Sequence, residues 1–253
     1  MTGVKRLAAL LVLLALATGA WLLMRPPPAA DLLISGATIE DHGHGPMLTL
    51  TLANSGGPDR LTTVSSTSGA ARIVSVEGVA QLPIPAGASP VLSEDGAYVA
   101  LTAGAALKPG QLVPVTLGFE GAGPVTAQAR VAEPDPMAMH HAHMGMVETP
   151  ADQPAPTVAL EVWSEGDGWA LRVETENFTL NEDMADGPHV PGVGHAHLYL
   201  DGLKLQRLYS RDVHIGALPP GRYTVRVTLN ANDHRVYMLG GAPITATAEI
   251  EAR

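Results

Sequence analysis

The feature that most restricts the fold is a series of short segments that alternate in polarity or run apolar, each interrupted by Gly, Pro, Ser or Asp. Side chains alternate between the two faces of a strand, so this pattern predicts half-buried β-strands. No segment after the N-terminus has a convincing helical period, which predicts an all-β chain built from β-sandwiches. The predicted strands cover 32–40, 47–54, 71–79, 96–103, 112–120, 125–133, 157–165, 169–180, 195–210, 221–233 and 243–252.

A proline-rich stretch divides these strands into two groups. Residues 134–156 contain five prolines and no periodic apolar pattern, which indicates a linker. The expected domains are therefore one β-sandwich at 31–133 and a second at 157–253. In the second, LPPGRYTVRVTL is a proline-glycine turn followed by a strand, as in immunoglobulin-like modules.

The N-terminal segment, residues 1–30, predicts a membrane anchor or a secretion signal, followed by a proline spacer. Lys5 and Arg6 precede an uncharged run from Leu7 to Met24. Those residues would span ~27 Å as a helix, about the thickness of a bilayer core. The sequence ATGA at 17–20 offers a cleavage site, so an uncleaved transmembrane helix and a cleaved signal both remain open. Either one predicts a location on the periplasmic side of a bacterial inner membrane, anchored or free.

Composition narrows the function. The chain has 15 Lys and Arg against 25 Asp and Glu, which argues against a nucleic-acid partner, since phosphate binding needs clustered basic residues. It has no cysteine, which fits an oxidising compartment in which a metal carrier uses Met and His instead. No nucleophile elbow, zincin motif or phosphate-binding loop occurs, so an enzyme is not expected.

The predicted linker contains a dense run of methionine and histidine. Residues 137–146 read MAMHHAHMGM. Thioether sulfur suits Cu(I), and imidazole suits Cu(II), Zn and Ni as well. The mixture favours copper in either oxidation state; zinc or nickel bound by the histidines, and a metal-free low-complexity linker, are the alternatives. The predicted ligands are Met137, Met139, His140, His141, His143, Met144 and Met146.

A second group of histidines lies in the second region. His195 and His197 are two residues apart on a predicted strand, so they share a face, with Cα atoms ~7 Å apart. The alternative is that they merely hydrogen-bond at a polar strand end. Asp233 or Asp201 is expected to hold a ligating imidazole in one tautomer. The predicted metal ligands of this region are His189, His195, His197, His214 and His234.

Two motifs of the first region suggest a family. PIPAG stands at Pro83–Gly87 and LKPGQLVPVTLGFE at Leu107–Glu120. With them, residues 31–132 resemble the periplasmic copper-chaperone family PCuAC. The resemblance implies a cupredoxin-like β-sandwich, and some members of that family also carry a Met/His-rich extension after the β domain.

The usual copper ligands of that family are missing here. The family carries a His-x-Met before the IPAG segment and another after it, whereas the aligned positions hold VEG at Val76–Gly78 and VAL at Val99–Leu101. The resemblance therefore implies that the first region is a structural or docking remnant, or that copper has moved to the linker and the second region. The second region, with GVGHAHLYLDG, is loosely similar to a module of bacterial copper-handling proteins.

Together these features predict a periplasmic copper-binding protein. The expected role is a copper chaperone that delivers Cu(I) or Cu(II) by ligand exchange to a membrane cuproenzyme such as cytochrome oxidase. Copper sequestration or resistance is one alternative. A structural or protein-interaction module without metal is the other.

Overall fold

The computed structural model describes residues 11, 29–41, 43, 45–103, 106–133 and 145–253. Most of the predicted anchor or signal segment therefore lies outside the described residues. Within the described ranges, no helix has the length and apolar character needed to cross a bilayer.

The described residues confirm the all-β prediction. Strands of the first region are β1 (Leu32–Glu40), β2 (Met47–Asn54), β3 (Asp59–Ser66), β4 (Gly69–Ser75), β5 (Leu82–Ile84), β6 (Val91–Leu92), β7 (Ala97–Ala103), β8 (Leu112–Phe119) and β9 (Gly123–Val131). Those that follow are β10 (Met146–Glu148), β11 (Thr157–Glu165), β12 (Gly168–Glu176), β13 (Thr179–Leu180), β14 (Val193–Leu200), β15 (Leu203–Leu208), β16 (Asp212–Ile215), β17 (Gly221–Ala231), β18 (Val236–Leu239), β19 (Ala242–Pro243) and β20 (Thr245–Ala252).

The first region is a ring of paired strands around an apolar core. Its pairings run β1-β2-β7-β4-β3-β8-β9 and return to β1 through a parallel β1–β9 pair. Alternation in the sequence explains which side chains face inward: Leu48, Leu50 and Leu52 of β2 are buried, and the intervening threonines are half-buried. Each fully buried leucine contributes about 1.5–3 kcal/mol relative to an exposed one.

Strand β14 is central to the second region. It pairs antiparallel with β15 on one side and with β17 on the other. Gly194 to Leu200 are all buried, so both faces of the strand are covered. Leu198 and its neighbours at alternate positions join the apolar core, which also includes side chains of the separate three-stranded sheet β11-β12-β16. His195, His197 and Tyr199 occupy the opposite face of β14.

The two regions are in direct contact. Strand β15 pairs with β6, and the Arg226 guanidinium lies 2.7 Å from the Glu77 carboxylate. The backbones of the two regions also approach closely at Gly96, where an added Cβ would lie 2.2 Å from the carbonyl oxygen of Gly202. A glycine is required at a contact this close. The first region therefore contacts Tyr199, on the face of β14 that carries the histidines.

Several strands were not predicted from the sequence. β3 was missed because its exposed face is threonine and serine, so that its polarity resembles a loop, although it pairs with β5 and β8. The short strands β16 and β18 were also missed. β10 lies inside the segment predicted as a linker and pairs in parallel with β18.

Candidate metal centre

Strand β14 brings two of the predicted ligands together. His195 and His197 point to the same face, as the spacing predicted, with ring centroids 4.8 Å apart. Their Nε2 atoms are 2.9 Å apart. Both residues are almost completely buried, at 0 % and 2 % exposure. Buried polar atoms need hydrogen-bond partners, so the ring nitrogens of this pair require polar neighbours.

The turn between β17 and β18 adds a third imidazole. His234 adopts a left-handed backbone conformation, with φ of 69°, which histidine tolerates better than most residues. The turn is held by the side-chain amide of Asn230, which donates to the His234 carbonyl at 3.1 Å. The His234 ring centroid lies 5.0 Å from that of His195 and 6.3 Å from that of His197.

One nitrogen from each of His195, His197 and His234 lies within 4.8 Å of the other two. Two nitrogens bound to one copper or zinc ion at ~2.1 Å each are at most about 4.2 Å apart, so a small side-chain movement completes the site. Three nitrogen donors leave a fourth position open, and they suit copper or zinc better than calcium or magnesium. This set of three residues is called the triad below.

A hydrogen-bonded group orients His197 from behind. The Tyr199 hydroxyl donates to Asp95 Oδ2 at 2.8 Å. His197 Nδ1 lies 3.2 Å from that hydroxyl and 3.3 Å from the same carboxylate oxygen. The Lys204 ammonium also contacts Asp95. This arrangement leaves His197 Nε2 facing His195.

Burial keeps the two inner imidazoles neutral. Burial is the main cause that lowers the pKa of His195 to about 3. The pKa of His197 is about 4, because burial outweighs the hydrogen bond with Asp95, which raises it, and the Lys204 charge acts in the same direction as burial. Burial alone would raise the pKa of Asp95, but hydrogen bonds with His197 and Lys204 and the Lys204 charge hold it well below its ordinary value. Neutral imidazole is the form that binds metals, so no proton has to leave these rings at neutral pH.

A second carboxylate contacts the outer histidine. His234 Nε2 forms a hydrogen bond with Asp186, and this bond lowers the pKa of the Asp186 carboxyl. Arg207 also donates to Asp186, at 3.1 Å.

The other predicted ligands lie elsewhere. His189 packs against the Tyr237 ring, with centroids 5.7 Å apart, and is not part of the triad. His214 is on β16 in the separate sheet, half exposed and 3.7 Å from Glu165. Met146 is exposed on β10. The remaining predicted ligands lie outside the described residues; they are Met137, Met139, His140, His141, His143 and Met144.

The carboxylates that contact the triad differ from those predicted from the sequence. Asp233 pairs with Arg235 at 2.8 Å, and Asp201 accepts a backbone N–H at 2.8 Å. Asp95 and Asp186 contact the triad instead. Local sequence gave no signal for Asp95, which lies 104 residues from Tyr199. Tyr199 itself was detectable, since it continues the i, i+2 series of His195 and His197.

The positions aligned with the family's usual ligands carry neither histidine nor methionine in the first region. Val99 and Leu101 are buried in the core, and Val76 is exposed. Glu77 pairs with Arg226 of the second region. Packing and contact between the regions therefore account for these side chains.

Fold and site together define an all-β protein with a cluster of three histidines, two of which are buried. Residues 20–131 match the LpqE-like lipoprotein family, which covers less than half of the chain. The PCuAC resemblance of the first region is thereby confirmed, and the rest of the chain is a further β module. No curated protein matches the chain.

Solved PCuAC domains are similar to the same part of the chain. The copper-bound PCuAC domain from PmoF2 is 25 % identical, with 44 % of this chain and 100 % of that one covered and a TM-score of 0.38. The apo PmoF2 domain is 23 % identical, covering 44 % and 97 %, with a TM-score of 0.37. The apo PCuAC domain from PmoF1 is 27 % identical, covering 42 % and 97 %, with a TM-score of 0.39. With TM-scores this low, the metal ligands of those domains are not transferred to this chain.

Proposed function

We propose that the protein binds copper at the triad of His195, His197 and His234. The observation that carries this proposal is the convergence of three imidazoles, one of them held from behind by a carboxylate group. Metal-ligating histidines regularly have such a partner on the other ring nitrogen. Binding rather than catalysis is the proposed role.

The Met/His run at 137–146 is proposed as a second copper-binding segment. Its described end supports this role: the Gly145 carbonyl accepts the Val236 N–H at 2.9 Å, and Met146 pairs with Val236 in the β10–β18 ladder. Val236 is two residues after His234. The run therefore ends beside the turn that carries the outermost ligand of the triad, where ions can pass by ligand exchange.

Location and partner form the next part of the proposal. The apolar N-terminal segment and the match to a lipoprotein family support a place on the periplasmic side of the inner membrane, anchored or free. The proposed recipient of copper is a membrane cuproenzyme such as cytochrome oxidase.

Metal loading followed by desalting tests the proposal. The unmodified protein should retain Cu(I) or Cu(II). A protein in which a Gly/Ser segment replaces residues 137–146 should still retain the copper bound at the triad. Adding the triple substitution His195→Ala/His197→Ala/His234→Ala to that protein should remove this remaining copper. His214→Ala, which removes an exposed histidine of the other sheet, is the matched control and should bind like the unmodified protein. If the triple substitution leaves the amount of retained copper unchanged in the protein with the Gly/Ser segment, the triad is not the site. If the protein retains zinc but no copper, zinc rather than copper is the metal of the site.

Sequestration is a second candidate, favoured by the burial of His195 and His197. A sealed pair releases its ion slowly, which suits storage better than delivery. Copper transfer from the loaded protein to a metal-free oxidase subunit distinguishes the two roles: transfer supports delivery, and retention supports storage. A protein that retains no metal in either valence would instead be the interaction module.

A further inference from the structure

Asp95 is a first-region residue held at the metal centre of the second region. It lies in the turn between β6 and β7, where the Ser93 hydroxyl donates to its Oδ1 at 2.5 Å. The backbone of the turn is closed by the Gly96 N–H, which donates to the Ser93 carbonyl at 3.1 Å. Gly96 also packs against Gly202, which leaves no space for a Cβ. The carboxylate is therefore fixed by both regions.

The donors around Asp95 Oδ2 determine how it acts on His197. An ionised carboxylate accepts hydrogen bonds and donates none. Tyr199 O–H donates to it at 2.8 Å, and the Lys204 ammonium contacts the same oxygen. His197 Nδ1, at 3.3 Å from that oxygen and 3.2 Å from the Tyr199 oxygen, must then carry its proton on Nδ1.

The tautomer follows for the other ring nitrogen. A neutral imidazole has one N–H, so a proton on His197 Nδ1 leaves the lone pair on Nε2. That atom faces the Nε2 of His195 at 2.9 Å, on the side of the ring where His195 lies. The contact from the first region thus presents His197 to the triad in the form that binds a metal.

We propose that Asp95 is a positioning residue for the metal centre, so that the first region, whose own aligned ligand positions are occupied by other side chains, sets the affinity of the second region for its ion. This inference rests on the proposed copper function. It gives the first region a role other than binding metal itself: the outer shell of the centre is completed across the contact between the regions. Loss of such an outer-shell partner typically costs about 10- to 100-fold in metal affinity.

Copper competition against a chromophoric chelator tests the proposal in the full chain. Asp95→Asn should lower the affinity for Cu(I) about 10- to 100-fold, because the amide can present N–H instead of an acceptor to His197. Glu77→Gln is the matched control: it also neutralises a carboxylate that joins the two regions, but the partner of that carboxylate is Arg226 rather than a histidine of the triad. Its affinity should equal that of the unmodified protein. Equal losses in both variants, or no loss in Asp95→Asn, would overturn the proposal.

A tautomer measurement covers the case in which Asp95→Asn does not fold. Long-range proton–nitrogen correlation spectra of the metal-free, unmodified protein should show His197 protonated on Nδ1. Protonation on Nε2 would refute the positioning role whether or not copper binds. Failure of the unmodified protein to retain copper would refute the proposed function instead, so the two failures are distinguishable.

Discussion

At the scale of single residues, the triad combines one pattern that is readable in the sequence with contacts that are not. The i, i+2 spacing of His195 and His197 predicted a shared face, because strand geometry fixes it locally. His234 joins them through a turn 37 positions further on from His197, and its role follows from the β14–β17 pairing. Asp95 comes from the other region, and no local rule predicts contacts at that separation.

The buried histidines predict how stability depends on pH. In the folded protein the pKa of His195 is about 3 and that of His197 about 4, both below the ordinary value of 6.5. Between pH 6.5 and 4 the unfolded chain therefore binds more protons than the folded one, and the free energy of unfolding falls as pH falls. The slope approaches ~1.4 kcal/mol per pH unit for each histidine. Asp95 stays ionised throughout this window, because its hydrogen bonds with His197 and Lys204 hold its pKa well below the ordinary value.

Urea unfolding of the metal-free protein across this range measures the slope. His197→Gln should flatten it, because one of the histidines with a lowered pKa is removed. His214→Gln, at an exposed position, should leave it unchanged. A slope that persists unchanged in His197→Gln would contradict the assignment.

At the scale of elements, strands with an apolar face were predictable and polar ones were not. β2 and β11 coincide with the predicted segments, since alternation marks their buried faces. β3 has threonines and serines, and its pairing with β8 compensates for the weak apolar signal. The triad depends on β14, whose burial on both faces reflects packing of the whole molecule rather than its own sequence.

Truncation inside β14 should be costly. Leu198 is fully buried in the core beneath the histidine face. Leu198→Ala removes that packing and leaves a cavity, which should lower the free energy of unfolding by about 2–5 kcal/mol. Denaturant unfolding provides the measurement. Thr247→Ala, at an exposed position of β20, should change stability by less than about 0.5 kcal/mol, and a similar effect in both variants would contradict this view of the strand.

At the scale of the whole molecule, the contact between the two β regions supplies part of the surroundings of the triad. Hydrogen bonds and ion pairs cross it, and the histidine triad lies against it. The division at 134–156 remains a prediction from composition. That the regions would meet on the histidine face was not predictable, because the contact depends on Gly96 and Gly202, whose close approach becomes evident only in three dimensions.

A methyl group at Gly96 should disturb this contact. Its Cβ would lie 2.2 Å from the Gly202 carbonyl oxygen and 3.0 Å from the Tyr199 ring. Gly96→Ala should therefore destabilise the protein by about 1–3 kcal/mol, as overpacking does, and should weaken copper binding because Asp95 moves with it. Thermal unfolding and chelator competition measure the two effects. Ser89→Ala, a one-atom change at an exposed site, is the control. Unchanged stability and copper affinity in Gly96→Ala would show that the contact accommodates a methyl group without cost.

The uneven exposure of the three imidazoles has a kinetic consequence. His195 and His197 are sealed, whereas the His234 side chain retains 36 % exposure. At the proposed copper site, an incoming chelator would reach His234 first, so exchange would begin at that ring. Residence time and equilibrium affinity would then depend on different members of the triad: the enclosed pair would set how firmly an ion is held, and His234 how fast it leaves.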